Sequence, residues 1–258
     1  MLPKELKPKH CYNLIRLGKN NDGGYLVEKN SLLNSESLIS FGINLDWSFE
    51  KDFFKLKDRP IHCYDHTIKY SFLKKVSRNS LFKFFNKKYH SISGLKEIFS
   101  NIKLYKDYKN FFSGKVVHFE SAIGLGKNLA DMNSVFNRIN SNKIFLKMDI
   151  EGSEYRVLHD LINYQNKITG LIIEFHNVDL HIQRILNFIK EFKLNLVHIH
   201  GQNAGGEEYL DRNGDPTQIE LTFSSYSEYK NIDPCIPNKL DQPSDPRYKD
   251  INLKFQFK

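Results

Sequence analysis

The chain has 258 residues, a formal net charge of +8, 40% hydrophobic and 13% aromatic residues, which suits one large domain with its own core and argues against a disordered chain. Its three cysteines, Cys11, Cys63 and Cys235, are far apart and lack C-x-x-C spacing, so neither a disulfide framework nor a thiolate zinc site is expected and a reducing compartment fits. The opening "MLPKELKPKH" lacks the apolar core of a signal peptide, and nowhere do about 18 apolar residues run together, so the expectation is a cytoplasmic protein without a membrane span.

The N-terminal stretch "YNLIRLGKNNDGGYLVEK" predicts a hairpin within residues 1–30, two short strands joined by an Asn-Asp-Gly-Gly turn. Its glycines, Gly23 and Gly24, make the turn; Arg16 and Asp22 either form an ion pair or line a pocket, and Tyr25 is equally open. Short apolar runs follow, "SLISFGI" (37–43), "RPIHCYD" (59–65), "KVVHFESAIG" (115–124), "KIFLKMDI" (143–150) and "GLIIEFH" (170–176), each ending in a polar or glycine residue. Helix-like stretches separate most of them: "SFEKDFFKLK", "GSEYRVLHDLINYQNK" and "DLHIQRILNFIKEF", the last carrying an apolar stripe of Ile182, Ile185, Leu186, Ile189 and Phe192. Such alternation predicts βαβ units, hence an α/β, Rossmann-like fold with a mostly parallel sheet covered on both faces. "NLVHIHG" and "QIELTFS" then follow with only a loop between them and predict an antiparallel last pair.

Residues 67–115 exceed a usual crossover and hold twelve Lys/Arg against two Asp/Glu, a balance of +10 that leaves the remainder of the chain at −2. We read this segment as a basic helical insertion or lid, attractive to nucleic acid, a sugar nucleotide or an anionic membrane surface, or simply a solvated lysine-rich face. Residues 225–258, with Pro234, Pro237, Pro243 and Pro246, read as an irregular surface extension closing in "INLKFQFK", a last edge strand by its alternation.

In open α/β sheets ligands bind beyond the carboxyl ends of the strands. There the sequence puts Gly42, Asp65, Glu120 with Ser121, Asp149, and Glu174 with His176. Gly42 lets a ligand approach the backbone at the start of a helix near Ser48, and Asp65 stands about twenty residues on, where an acid commonly grips ribose hydroxyls. A G-x-G-x-x-G fingerprint is absent, so a tight turn and a helix cap are the plain alternatives. Residues two apart on a strand share a face, so Glu174 with His176, and His198 with His200, can converge with Asp149 and Glu220 on one cleft. Carboxylates mixed with imidazoles are divalent-metal ligands: two His and one carboxylate suit Fe(II), a more oxygen-rich set Mg or Mn. The metal set expected is Asp149, Glu174, His176 and His198; a metal-free imidazole base is the other reading. Glu151 and Glu154 read as first-turn acids complementing a helix dipole.

The blocks "RLGKNNDGGYLV", "SFGINLDWSFEKDF", "IHCYDHT", "KIFLKMDIEGSEYRVL", "GLIIEFHNV" and "HIHGQN", spread over residues 16–203, resemble the FkbM-type SAM-dependent methyltransferases, above all "KMDIEGSEY" followed by "IIEFH". The resemblance implies a single class I methyltransferase domain over 1–258 with a seven-stranded sheet. It implies S-adenosyl-L-methionine over Gly42 and Asp65, with Ser48, Glu50, His66, Ser121 and Asp149 around it. The family commonly O-methylates sugars of bacterial polysaccharides, glycolipids or natural products, and the likeness is to members associated with capsule or lipopolysaccharide sugars, heptose among the candidates. Two departures stand out: one glycine in place of a G-x-G run, and a richer cluster of His and acids than a metal-free enzyme needs. Class I O-methyltransferases that use a metal take their ligands from the ends of the fourth and fifth strands, the positions to which the resemblance assigns Asp149, Glu174 and His176. The expected chemistry is in-line methyl transfer to a sugar hydroxyl of a nucleotide-linked or glycan substrate, aided by Fe, Mg or Mn, with His200 or another imidazole taking the proton beside Asp149. The basic insertion would hold a phosphate of the sugar donor. The rival readings are an RNA methyltransferase guided by the Lys/aromatic "LFKFFNKKYH", and a metal-dependent oxygenase or hydrolase with no SAM. Oligomeric state is left open.

Overall fold

A computed structural model describes residues 1–86, 91–124, 126 and 129–256, apart from the side chain of Glu207. The expected hairpin forms from β1 (Leu14–Gly18) and β2 (Gly24–Glu28), paired antiparallel from Leu14↔Glu28 to Gly18↔Gly24. A short helix α1 (Lys29–Leu33) follows, its first amides, Asn30 and Ser31, capped by the buried Glu28 carboxylate at 2.8 and 2.7 Å.

The main sheet is built by β3 (Ser37–Phe41), β4 (Ile61–Tyr64), β5 (Val116–Phe119), β6 (Ile144–Met148), β7 (Ile168–Phe175), β8 (Asn195–Gly201) and β9 (Ile219–Ser224). Its order is β5-β4-β3-β6-β7-β9-β8, parallel except for β9, which runs antiparallel to both neighbours. This is the Rossmann-like methyltransferase fold, with its order reversing at β3 and its last hairpin tucked back into the sheet. Helices α2 (Ser48–Lys57), α5 (Met132–Ile139), α6 (Leu158–Tyr164) and α7 (Val178–Glu191) cover the faces. One core lies between the sheet and α5, α6 and α7; the other packs the opposite face against the β1–β2 hairpin and α2 through Tyr25, Val27, Phe49 and Phe53.

The insertion is helical as expected, a hairpin of α3 (Tyr70–Phe84) and α4 (Ile92–Phe111); Lys87 to His90 of "LFKFFNKKYH" lie outside the described residues. Three expectations change. Helix α5, not among the predicted helices, buries Met132, Val135, Phe136 and Ile139 at helical spacing behind an Asp131 cap. The stretch 152–167 does not run as one helix: Glu151 and Gly152 take positive φ, a 3-10 turn spans Glu154–Arg156, and the α-helix starts only at Leu158. Finally, the closing "INLKFQFK" makes no edge strand. Over its described part it pairs by a single bridge, Phe255 with Leu2, since the buried side chains of Leu253 and Phe255 are drawn into the core beside the N-terminus.

Candidate active site

Strand register brings one polar row to the carboxyl edge of the sheet. Tyr64, Phe41, Met148 and Ile173 are level with one another, so the residues just beyond them, Asp65, Gly42, Asp149 and Glu174, form the next row. Glu174 is in turn level with Glu220, and Glu220 with His200. A cleft of ≈ 430 Å³ opens over the middle of this row, within the range of small-molecule sites. Its walls include Asp22, Gly23 and Tyr25 of the hairpin, Gly42 and Asn44, Phe49, Asp65 and His66, Ile123, and Asp149 with Glu151.

At Gly42 the backbone has φ +75, and a Cβ there would collide with the Asp149 carbonyl oxygen, so only glycine lets the β3 and β6 ends close on each other. Lys147, buried on the same face, donates from Nζ to the Gly42 carbonyl at 2.9 Å and lies 3.7 Å from Glu50. Asp65 stands at the cleft mouth, but its oxygens are already occupied. Oδ2 accepts from the amides of Ile43 (3.0 Å) and Asn44 (2.9 Å), and Oδ1 from the amide (2.7 Å) and hydroxyl (2.5 Å) of Thr67. A carboxylate offers about four acceptor positions, so Asp65 here ties two turns together and is not a free grip for ribose. Burial alone would raise its pKa, yet the bonds from Thr67, Asn44 and Ile43 hold it below the usual value.

The other expected cofactor residues divide. His66 lines the cleft and is exposed. Ser121 is half-buried, its hydroxyl donating to the Ala122 carbonyl, while Ala122 and Ile123 themselves face the cleft. Ser48 is taken by the hairpin, accepting from the Lys19 amide at 2.9 Å. Glu50 is fully buried behind the wall, accepting from the Ser40 hydroxyl at 2.5 Å, so it supports Lys147 and does not reach a ligand. In the hairpin, Arg16 donates to the Asn21 carbonyl (2.8 Å) and clamps the turn, while Asp22 and Gly23 face the cleft.

The second constellation gathers around His176. Its Nε2 lies 3.4 Å from Glu151 Oε2 and 3.9 Å from both Asp149 Oδ1 and Glu174 Oε1. Behind it, Nδ1 is 3.0 Å from Glu154 Oε1, and the same oxygen accepts from the amides of Ile150 and Gly152 at 3.1 and 3.2 Å. Glu154 is therefore no helix-dipole acid: it is fully buried, and it folds the β6 loop back and orients the imidazole. Tyr25 Oη reaches Asp149 Oδ2 (3.3 Å) and Glu174 Oε2 (3.5 Å) from the hairpin.

This packing of acids shifts their protonation. Burial pushes Asp149 up to about 6, against the pull of Lys147 and His176. Burial, then Asp149 and Glu220, push Glu174 well above the carboxylate range. His176 loses to burial but gains more from Glu154 and Asp149, so its pKa rises.

Asp149, Glu151 and His176 can each offer one ligand atom, all within 4.8 Å of one another. The donor chemistry fits a hard or borderline divalent cation: one imidazole, two carboxylates, and an acid behind the imidazole holding its far nitrogen. This set differs from the expected one. Glu151 takes the place of Glu174, which does not belong to the group whose ligand atoms all fall within 4.8 Å of one another, and His198 is absent because β9 separates β8 from β7. His198 Nε2 is paired with Asp241 at 2.9 Å, so the two-His set expected for Fe(II) does not assemble. Neither does His200 serve as a base. Its Nε2 is 2.9 Å from Asp250 and its Nδ1 3.6 Å from Glu220; burial would lower its pKa, but these two acids lift it to about 10, and it is an imidazolium at neutral pH.

Neither a protein-family profile nor a curated protein matches the chain. Among solved structures it is similar to an rRNA methylase from Streptococcus thermophilus (7% identity, 77% of this chain and 93% of that one, TM-score 0.40). It is also similar to a precorrin-6y C5,15-methyltransferase from Geobacter metallireducens (10%, 76% and 84%, TM-score 0.36) and to the fibrillarin pre-rRNA processing protein of Methanococcus jannaschii (7%, 83% and 82%, TM-score 0.36). Likeness at this level bears on neither substrate nor partner, and the fold rests on the strand order and register of the chain itself.

Proposed function

We propose that the chain is an S-adenosyl-L-methionine-dependent O-methyltransferase acting on a sugar hydroxyl of a nucleotide-linked or polysaccharide sugar, capsule and lipopolysaccharide heptose among the candidates, with a divalent cation at Asp149, Glu151 and His176. The observation that carries it is the meeting of Gly42, Asp65 and Asp149 on one sheet edge, in one cleft, beside the His176 cluster. Bound there, the cofactor would supply an electrophilic methyl group and the cation would lower the pKa of the acceptor hydroxyl.

The residues divide the remaining work. The Gly42–Asn44 turn, fixed by Asp65, and His66 would hold the cofactor, with Phe49 and Ile123 giving apolar wall. Asp149 and His176 would position the acceptor so that its oxygen forms a bond to the methyl carbon as the carbon–sulfur bond breaks. The single hydroxyl proton would pass to the Glu151 carboxylate, whose exposed side chain can release it to water. Tyr25, its pKa raised by burial and by Asp149 and Glu174, stays protonated and serves as a donor.

An RNA acceptor is the second reading, favoured by the +10 balance of residues 67–115. Incubating the purified protein with labelled S-adenosyl-L-methionine and either nucleotide-linked sugars or RNA, with and without chelator, tests all of this. Label on the sugar and its loss in chelator are expected. Label on RNA alone replaces the acceptor, full activity in chelator removes the cation, and failure to bind the cofactor rejects the reading.

A further inference from the structure

The helical insertion ends in a feature the cleft does not use. Helices α3 and α4 pack on one another and root on the body through Trp47, Ile68, Leu73 and Tyr108. Their far end is apolar and faces outward: Leu81, Phe82, Phe84, Phe85, Ile92 and Phe99 are all exposed, Phe82 by 73%, Phe85 by 82% and Ile92 by 80%. Phe84 lies against Phe85 and against Phe99 with ring centroids 5.8 Å apart in each case, so the rings form one cluster. Along the described parts of the hairpin the charge is nearly all of one sign, since residues 74–86 and 91–99 contain five Lys/Arg and one acid, Glu97, which pairs with Lys83 at 3.1 Å. Contiguous exposed apolar surface of this kind marks an interaction site.

We propose that the tip of the α3–α4 hairpin docks the protein on an anionic lipid bilayer. Rings and aliphatic side chains enter the headgroup–acyl boundary, while the surrounding Lys and Arg keep their charges among the lipid phosphates and their stems along the apolar surface. The charge balance selects an anionic surface. Two features favour a bilayer over single-stranded RNA. Leu81 and Ile92 have no π face on which a base can stack, and the rings occupy the end of a helical hairpin instead of a groove that would track a phosphate backbone. A second copy fits poorly, because two such tips would bring like charges together. Docking requires neither cofactor nor cation in the cleft, so it stands or falls apart from the methyl-transfer reading.

Co-sedimentation of the whole chain with vesicles of phosphatidylcholine plus phosphatidylglycerol, against phosphatidylcholine alone, tests it. Binding to the anionic vesicles is expected, weakened by salt and at least ~10-fold weaker for F82S/F85S, whose circular dichroism and melting temperature should match the parent because both rings are exposed. Should that variant fail to fold, R78E/K96E, at exposed positions of α3 and α4 away from the root, tests the electrostatic half and should weaken vesicle binding likewise. No sedimentation with anionic vesicles overturns the proposal, as does sedimentation equal for parent and variants. Tight, Phe82- and Phe85-dependent binding of oligouridine without vesicle binding assigns the tip to RNA, and a concentration-dependent dimer abolished by F82S/F85S without vesicle binding assigns it to a second copy.

Discussion

Fully buried, the Glu154 carboxylate is met by the amides of Ile150 and Gly152 and by His176 Nδ1, and its other oxygen has no hydrogen-bond partner within the protein. Replacing it with Gln keeps the volume but removes the charge that holds the imidazole. Loss of such a partner behind a ligand typically costs ~10–100-fold in metal affinity, and E154Q should lose that much by titration calorimetry with Mn²⁺ while remaining folded. At Gly42 the constraint is steric. G42A places a Cβ against the Asp149 carbonyl at φ +75, so it should destabilise by at least ~1–3 kcal/mol in urea unfolding and abolish the thermal shift produced by S-adenosyl-L-methionine. Asp65 acts through the loops it ties: D65A should weaken cofactor binding by disordering the Gly42–Asn44 turn, and a variant with unchanged affinity would remove that role.

Among the elements, the C-terminal extension does more than its proline-rich composition suggests. It brings Asp241 to His198 and Asp250 to His200, both at 2.9 Å, and its Gln242 side chain and Pro243 carbonyl bond Asn21 in the β1–β2 turn that roofs the cleft. The side-chain Nδ2 of Asn203 lies within 3.3 Å of the carbonyls of Asp245, Tyr248 and Lys249 and shares its two hydrogens among them, fastening the segment to the end of β8. The extension thus acts as a strap between the sheet edge and the hairpin. Breaking a buried pair by removing one partner costs ~3–5 kcal/mol, so D250A should lower stability by that order and expose the strap to limited proteolysis ahead of the rest of the chain. The insertion, by contrast, is joined to the body mainly at its root, which leaves its tip available for a partner.

For the whole molecule, His200 sets a direction in pH. Its folded pKa, lifted to about 10 by Asp250 and Glu220 over the opposing effect of burial, exceeds the ordinary value of 6.5, so above pH 6.5 the folded chain binds a proton that the unfolded chain releases. The stabilisation is complete below about 6.5 and is lost as pH rises toward 10, by up to ~1.4 kcal/mol per pH unit. Chemical denaturation across that window should show the decline, and H200Q should flatten it. No helix among the described residues is long and apolar enough to cross a membrane.

Local chemistry in the sequence determined the alternation of apolar runs and helices, the polar residue at each strand end, the turn of the first hairpin and the basic insertion, because side-chain period, glycine and charge act over a few residues. The structure brings Gly42, Asp149, Glu174 and His176 to one edge because parallel strands share a direction and so end together. Which side chains then meet was decided only by the tertiary structure. Strand β9 enters between β7 and β8 and carries His198 and His200 away from Asp149, toward acids 43 and 50 residues further along the chain. Glu151 and Glu154 leave the dipole role expected of them because the loop after β6 turns back before the helix begins. Lateral strand order and contacts between distant segments arise from the burial of whole faces, and no local pattern of residues records them.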